Sequence, residues 1–125
     1  MPARLKPAPA AEVSAALDRL ATGSGTAAKA DLRLLTKHFL ALLEQRAPGR
    51  SVEVRVPPFA AVQCVEGVRH TRGTPPAVIE TDAVTWIALA TGEMTWSDAV
   101  DQARVRASGE RTDLSAYLPL GATAG

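Results

Sequence analysis

Two histidines and one cysteine are the side chains of this 125-residue chain whose chemistry most readily suits a base or a nucleophile near neutral pH. His38 stands at the edge of the apolar face of a predicted helix, where a boundary residue is the ordinary interpretation. His70 lies in a loop, either as a ligand contact or simply in solvent. Cys64 lies in mid-strand without a neighbouring cation to stabilise a thiolate, so we expect a small buried hydrophobe. No known catalytic motif accompanies them, and the sequence predicts a protein that is not an enzyme.

One loop concentrates polar chemistry that could recognise an anion. Residues 69–76 combine Arg69, His70 and Arg72 with two threonines, a glycine and two prolines. Guanidinium groups donate paired hydrogen bonds to carboxylates and phosphates, so these three side chains are candidates for binding the anionic headgroup of a ligand. The alternative is that Arg69 and Arg72 form ion pairs with Glu66 or Glu80 on the flanking strands.

Charge and composition exclude several classes of partner. Fourteen basic and 13 acidic residues give a net charge of +1, which leaves no strong field for nucleic acid or anionic lipid. A single cysteine excludes an internal disulfide, and two distant histidines predict neither a metal site nor a cofactor. No apolar stretch reaches the roughly 18 residues of a membrane-spanning helix, and the first eleven residues lack the apolar run of a secretory signal. We therefore expect a cytoplasmic protein with no integral membrane segment.

The spacing of apolar residues predicts the elements that must position these groups. Residues 1–9 form a flexible tail, residues 10–120 a single domain, and residues 121–125 a second tail. Apolar steps of three and four residues predict two helices, which cover residues 10–22 and about 32–47. Alternation predicts strands at 52–56, 59–66, 77–80 and 104–108. Between the last two strands, capping residues predict two short helices: one that Thr81 or Asp82 can cap and that runs to Thr91, and one that Thr95 can cap and that extends to Ala103. A last helix is predicted at 113–118. This order indicates an α+β fold, with one mostly antiparallel sheet of four or five strands packed against four or five helices.

Bulky apolar side chains are concentrated on the three short C-terminal helices. Such helices are stable only when they pack against other elements. The side chains either cover the sheet completely or leave an apolar cavity for a ligand, and the sequence is compatible with both. The residues concerned are Trp86, Leu89, Trp96, Val100, Leu114, Tyr117 and Leu118.

The C-terminal half also resembles a known family. Residues 81–120 contain a helix that ends at Gly92, a short helix from Thr95, a strand that ends at Gly109 and a final helix. This order and spacing are similar to the C-terminal half of sterol-carrier (non-specific lipid-transfer) domains. Residues 46–76 resemble the bacterial sterol carrier family protein branch found in actinobacteria, and with the second predicted helix the resemblance covers residues 28–120.

The resemblance implies a fold and a function. Members have a curved, mostly antiparallel sheet backed by helices that enclose a hydrophobic tunnel, and they bind fatty acyl chains, acyl-CoA or sterols. Transferred to this chain, the tunnel is expected to lie between the sheet and the C-terminal helices, lined by the residues named above together with Val62 and Cys64. The resemblance thus implies non-enzymatic binding or transfer of a lipid or another apolar small molecule. The alternative is a protein-interaction or accessory module of the same fold without a lipid, either a monomer or a homodimer joined through the edge of the 51–56 strand.

Overall fold

The computed structural model describes residues 5–23, 28–67, 77–109 and 113–121. Four α-helices, four strands and a 3₁₀ helix are found in these ranges. In chain order they are α1 (Ala10–Thr22), α2 (Lys29–Arg46), β1 (Val52–Val56), β2 (Ala60–Cys64), β3 (Ala77–Thr81), α3 (Ala83–Thr91), α4 (Trp96–Asp101), β4 (Val105–Ser108) and the 3₁₀ helix Ser115–Tyr117. The predicted α+β class and element order are confirmed.

The four strands form one open, mixed sheet in the order β2-β1-β3-β4. β1 pairs antiparallel with β2, where Val54 lies opposite Val62, and β3 pairs antiparallel with β4. β3 does not continue a meander beside β2; it returns to the other side of β1 and pairs with it in parallel, with Val54 opposite Ile79. β1 is therefore an interior strand, and the predicted homodimer contact through its edge is wrong because both of its edges are already paired.

The helix ends follow the local chemistry of the sequence. α3 begins after Asp82, whose carboxylate accepts hydrogen bonds from the Thr85 backbone N–H at 2.8 Å and the Thr85 hydroxyl at 2.9 Å. α4 begins after Thr95, which accepts a hydrogen bond from the Asp98 N–H. Each cap satisfies a backbone donor that has no partner within its helix.

Two of the predicted helices are shorter in the structure. α4 ends at Asp101, because Ala103 adopts a left-handed conformation and the Arg104 N–H turns back to the carbonyl of Ala99. The last predicted helix is reduced to the 3₁₀ helix Ser115–Tyr117, which begins where Asp113 accepts a hydrogen bond from the Ser115 N–H. Pro119 follows closely, so there is no room for a second helical turn.

The core lies where α2 and α3 cover the sheet. α2 contacts α1, α3 and β2, and its buried face joins the inward side chains of the strands. A bidentate ion pair also links α1 to α2: the Arg19 guanidinium donates to both oxygens of Asp31 at 2.9 and 2.8 Å and holds the pKa of that carboxyl below its usual range. The largest fully buried side chains are Trp86, Phe39, Leu35, Leu40, Leu43, Ile79, Leu89 and Leu114.

Candidate functional site

The predicted apolar site residues separate into three groups. Some are buried: Val62, Cys64, Trp86, Leu89 and Leu114. Others are partly buried and packed against the core: Trp96, Tyr117 and Leu118. Val100 forms the third group by itself: it is 50% exposed, since it points away from the buried Ala99 side of α4.

Apart from Leu89, the residues of the buried group belong to the packed core. The Trp86 indole N–H donates a hydrogen bond at 3.3 Å to the carbonyl oxygen of Thr36, which ties α3 to α2. Burial, with a smaller contribution from the Glu44 carboxylate, raises the pKa of the Cys64 thiol to about 12. The thiol is therefore protonated at neutral pH and takes the place of a small hydrophobe, as the sequence predicted.

Three of the predicted residues meet in a surface cavity. Leu89 of α3, Trp96 of α4 and Leu118 after the 3₁₀ helix contribute to one opening of about 300 Å³, which we call the α3–α4 cavity. This volume lies at the lower end of the range for small-molecule sites. Gly92, Met94, Thr95, Ser97, Ser115 and Pro119 complete its lining.

Two local features shape the α3–α4 cavity. Gly92 ends α3 in the left-handed conformation (φ 87°), which lets the chain reverse and bring Trp96 back toward Leu89. On the opposite side, the Arg46 guanidinium donates hydrogen bonds to the carbonyl oxygens of Tyr117 and Pro119 at 3.0 and 2.9 Å. The end of α2 thus holds the segment that carries Leu118.

The predicted headgroup residues Arg69, His70 and Arg72 lie outside the described residues. Their predicted role in binding the anionic headgroup of a ligand therefore stays a prediction.

A second concave surface was not predicted from the sequence. Residues 5–9 run alongside α2 and enclose with it a groove of about 620 Å³, which we call the basic groove. Its lining consists of Lys6, Ala8, Lys29, Ala30, Arg33, Leu34, Lys37 and His38. The signal in the sequence was the spacing of Lys29, Arg33 and Lys37, which recur every four residues and therefore share one side of the helix.

His38 is buried, and it is not the boundary residue that the sequence predicted. It is 1% exposed, and its Nδ1 accepts a hydrogen bond from the Ala8 backbone N–H at 2.9 Å. The proton of the neutral ring must then lie on Nε2, which has no hydrogen-bond partner in the described part of the chain. Burial lowers the pKa of His38 and so favours this neutral form.

Among the described residues, no three His, Cys, Asp or Glu side chains are placed to hold a metal ion. Within those ranges, no helix combines the length and apolar character needed to cross a membrane.

Comparison with known proteins gives a family. A search of curated proteins found no significant match. A family model described as "Bacterial SCP ortholog" matches residues 28–120, about three quarters of the chain. The matched region begins just before α2 and includes the whole sheet and the α3–α4 cavity. The chain therefore belongs to the family of bacterial SCP orthologs, the sterol carrier family that its C-terminal half resembles, for which lipid binding or carriage is the role at the level of the family.

Proposed function

We propose that this protein is a non-enzymatic carrier that binds the acyl chain of a fatty acid, or of a related lipid, in the α3–α4 cavity. The observation that supports it is the meeting of Leu89, Trp96 and Leu118, from three separate segments, around one opening of about 300 Å³. The ligand then lies on the outer side of α3 and not in the tunnel expected between the sheet and the C-terminal helices. Trp86 and Leu114 already fill the space over the sheet.

The size of the cavity limits how much of the ligand it encloses. A volume of about 300 Å³ suits part of an acyl chain rather than a sterol, since ligand sites extend from about 300 to 1,000 Å³. Each methylene that enters should contribute about 0.8 kcal/mol, or about a fourfold gain in affinity. Affinity should therefore rise steeply with chain length and stop rising once the cavity is full.

A chain-length series tests this proposal. Binding of saturated fatty acids from hexanoate to palmitate is measured by displacement of a fluorescent fatty acid and by the fluorescence of Trp96. Trp96→Phe assigns the spectral change, because the other tryptophan, Trp86, is buried in the core. A steep rise followed by a plateau is expected; saturable binding without dependence on chain length would place the ligand elsewhere.

Matched substitutions locate the site. Leu118→Ala removes part of the cavity wall and is expected to weaken binding about tenfold, because it removes contacts equivalent to one or two buried methylenes. Val100→Ala is the control, since Val100 lies on neighbouring α4 but is half exposed and outside the lining. Equal losses in both variants would contradict the cavity assignment. Failure of every fatty acid to bind would favour the interaction module, which light scattering would then examine as monomer or homodimer.

A further inference from the structure

The basic groove gathers positive charge that its own described lining does not balance. Lys6, Lys29, Arg33 and Lys37 contribute four of the chain's 14 basic residues to one lining, and among the described residues no acidic side chain belongs to that lining. The two ion pairs found in the described residues join Arg19 to Asp31 and Arg55 to Glu53, so they include none of these four cations.

Two elements place the cations together. Lys29, Arg33 and Lys37 are four residues apart along α2, so they form one stripe about 12 Å long. Lys6 comes from the segment before α1, where Ala8 is held by its hydrogen bond to His38 and packs against the core with Leu5. The groove is therefore built by the fold and does not depend on α2 alone.

This arrangement costs stability. Like charges four residues apart on a helix destabilise it, and the stripe contains two such pairs. Lys29 is the first residue of α2, where the helix dipole also disfavours a positive charge. Asp31, the one acidic residue of this first turn, is already paired with Arg19. An anion in the groove would relieve all of these repulsions together.

The shape and the remaining lining indicate the class of anion. Ala8, Ala30 and Leu34 supply apolar surface between the charged side chains, so the groove offers room for an uncharged body as well as for charge. A volume of about 620 Å³ lies well within the range of small-molecule sites. Arginine binds phosphate oxygens in pairs, and lysine binds them as a point charge.

We propose that the basic groove is a binding site for a small molecule that carries two or more phosphate groups beside an apolar or uncharged body. The phosphates contact Arg33 and Lys37 with Lys29 and Lys6, and the body lies against Ala30 and Leu34. This site is separate from the α3–α4 cavity, because the two linings have no described residue in common.

Calorimetry with sodium tripolyphosphate tests the proposal directly. The wild-type chain is expected to bind one equivalent saturably, and affinity should fall as salt is raised because exposed charges are screened. The double variant Arg33→Gln/Lys37→Gln should bind about tenfold more weakly, since each exposed ion pair contributes up to about a fivefold factor in affinity. Arg50→Gln, at an exposed position outside the groove, should bind as the wild type does. Absence of saturable binding, or an equal loss in Arg50→Gln, would overturn the proposal.

A second arm separates a soluble phosphate from a membrane. Vesicles of phosphatidylglycerol and phosphatidylcholine are sedimented with the wild-type chain and with the double variant. The chain is expected to stay in the supernatant. Sedimentation that is lost in Arg33→Gln/Lys37→Gln would assign the groove to a membrane surface and overturn the small-molecule site. The fatty acid series uses other residues, so a failure of either proposal is distinguishable from a failure of the other.

Discussion

Replacing Arg33 by glutamate is expected to stabilise the free protein while it weakens phosphate binding in the basic groove. In the wild type, Arg33 lies four residues after Lys29 and four residues before Lys37, so it repels both. Glutamate converts both repulsions into attractions. Arginine and glutamate have similar helix propensities, so the change acts mainly through charge.

The magnitude follows from these two pairs. Each pair changes from a cost of about 0.2–0.5 kcal/mol to a gain of similar size, so two pairs give a total of about 0.8–2 kcal/mol. The Lys29 pair belongs to the less favourable orientation and lies at the frayed end of the helix, which places the expected gain near 1 kcal/mol. For a chain of this length, that corresponds to about 3–5 °C in Tm.

Urea denaturation at low salt measures the gain, and its salt dependence tests the cause. In about 1 M NaCl the Debye length falls to about 3 Å, so the difference between Arg33→Glu and wild type should nearly vanish. Arg50→Glu makes the same change in net charge and should leave the free energy of unfolding within about 0.5 kcal/mol. A variant less stable than wild type at every salt concentration would refute the reasoning; it would mean that the Arg33 stem stabilises α2 by packing.

Three further predictions concern stability. Burial lowers the pKa of His38 below 6.5, so the unfolded chain binds the extra proton at a higher pH than the folded chain does. The free energy of unfolding should therefore fall as the pH drops below about 6.5, by up to about 1.4 kcal/mol per pH unit. Urea titrations at several pH values measure this slope, and His38→Gln should remove it. Ala103 and Gly92 both adopt left-handed backbone at helix ends, so Ala103→Gly should raise the free energy of unfolding by about 1 kcal/mol and Gly92→Ala should lower it similarly; equal signs would contradict a backbone origin. Asp82→Ala should cost about 1 kcal/mol in thermal unfolding through loss of the α3 cap, whereas Asp82→Asn should cost much less.

Most of the local structure could be predicted from the sequence. The alternation of Val52, Val54 and Val56 fixes β1, and apolar residues at steps of three and four residues fix α2, because each pattern aligns apolar side chains on one face. Caps at Asp82 and Thr95 were readable since their side chains bond to backbone atoms only three residues away. Such interactions depend on neighbours in the chain, which are visible in the sequence.

The strand order and the lengths of the short helices could not be predicted from the sequence. No residue pattern near β3 indicates that this strand pairs in parallel with β1 and not with β2. Two α4 boundary residues were also misassigned, because the left-handed turn at Ala103 depends on how the chain must enter β4. Pairings of this kind are decided by which buried faces match once the whole core assembles.

The candidate sites divide in the same way. The sequence alone identified apolar residues in the C-terminal half, and it contained the Lys29, Arg33 and Lys37 stripe within a chain of net charge +1. Only the tertiary structure buried Trp86 in the core and left Trp96 at a cavity, although both are tryptophans on short helices.

The sequence by itself therefore determined the fold class, the helix and strand types and the family, because these depend on periodicity and on order along the chain. Tertiary structure alone decided which apolar residues are core and which line a cavity, and it brought Lys6 to a stripe more than twenty residues away. The physical reason is that burial and electrostatic fields depend on distance in space, and packing brings together residues that the chain keeps far apart.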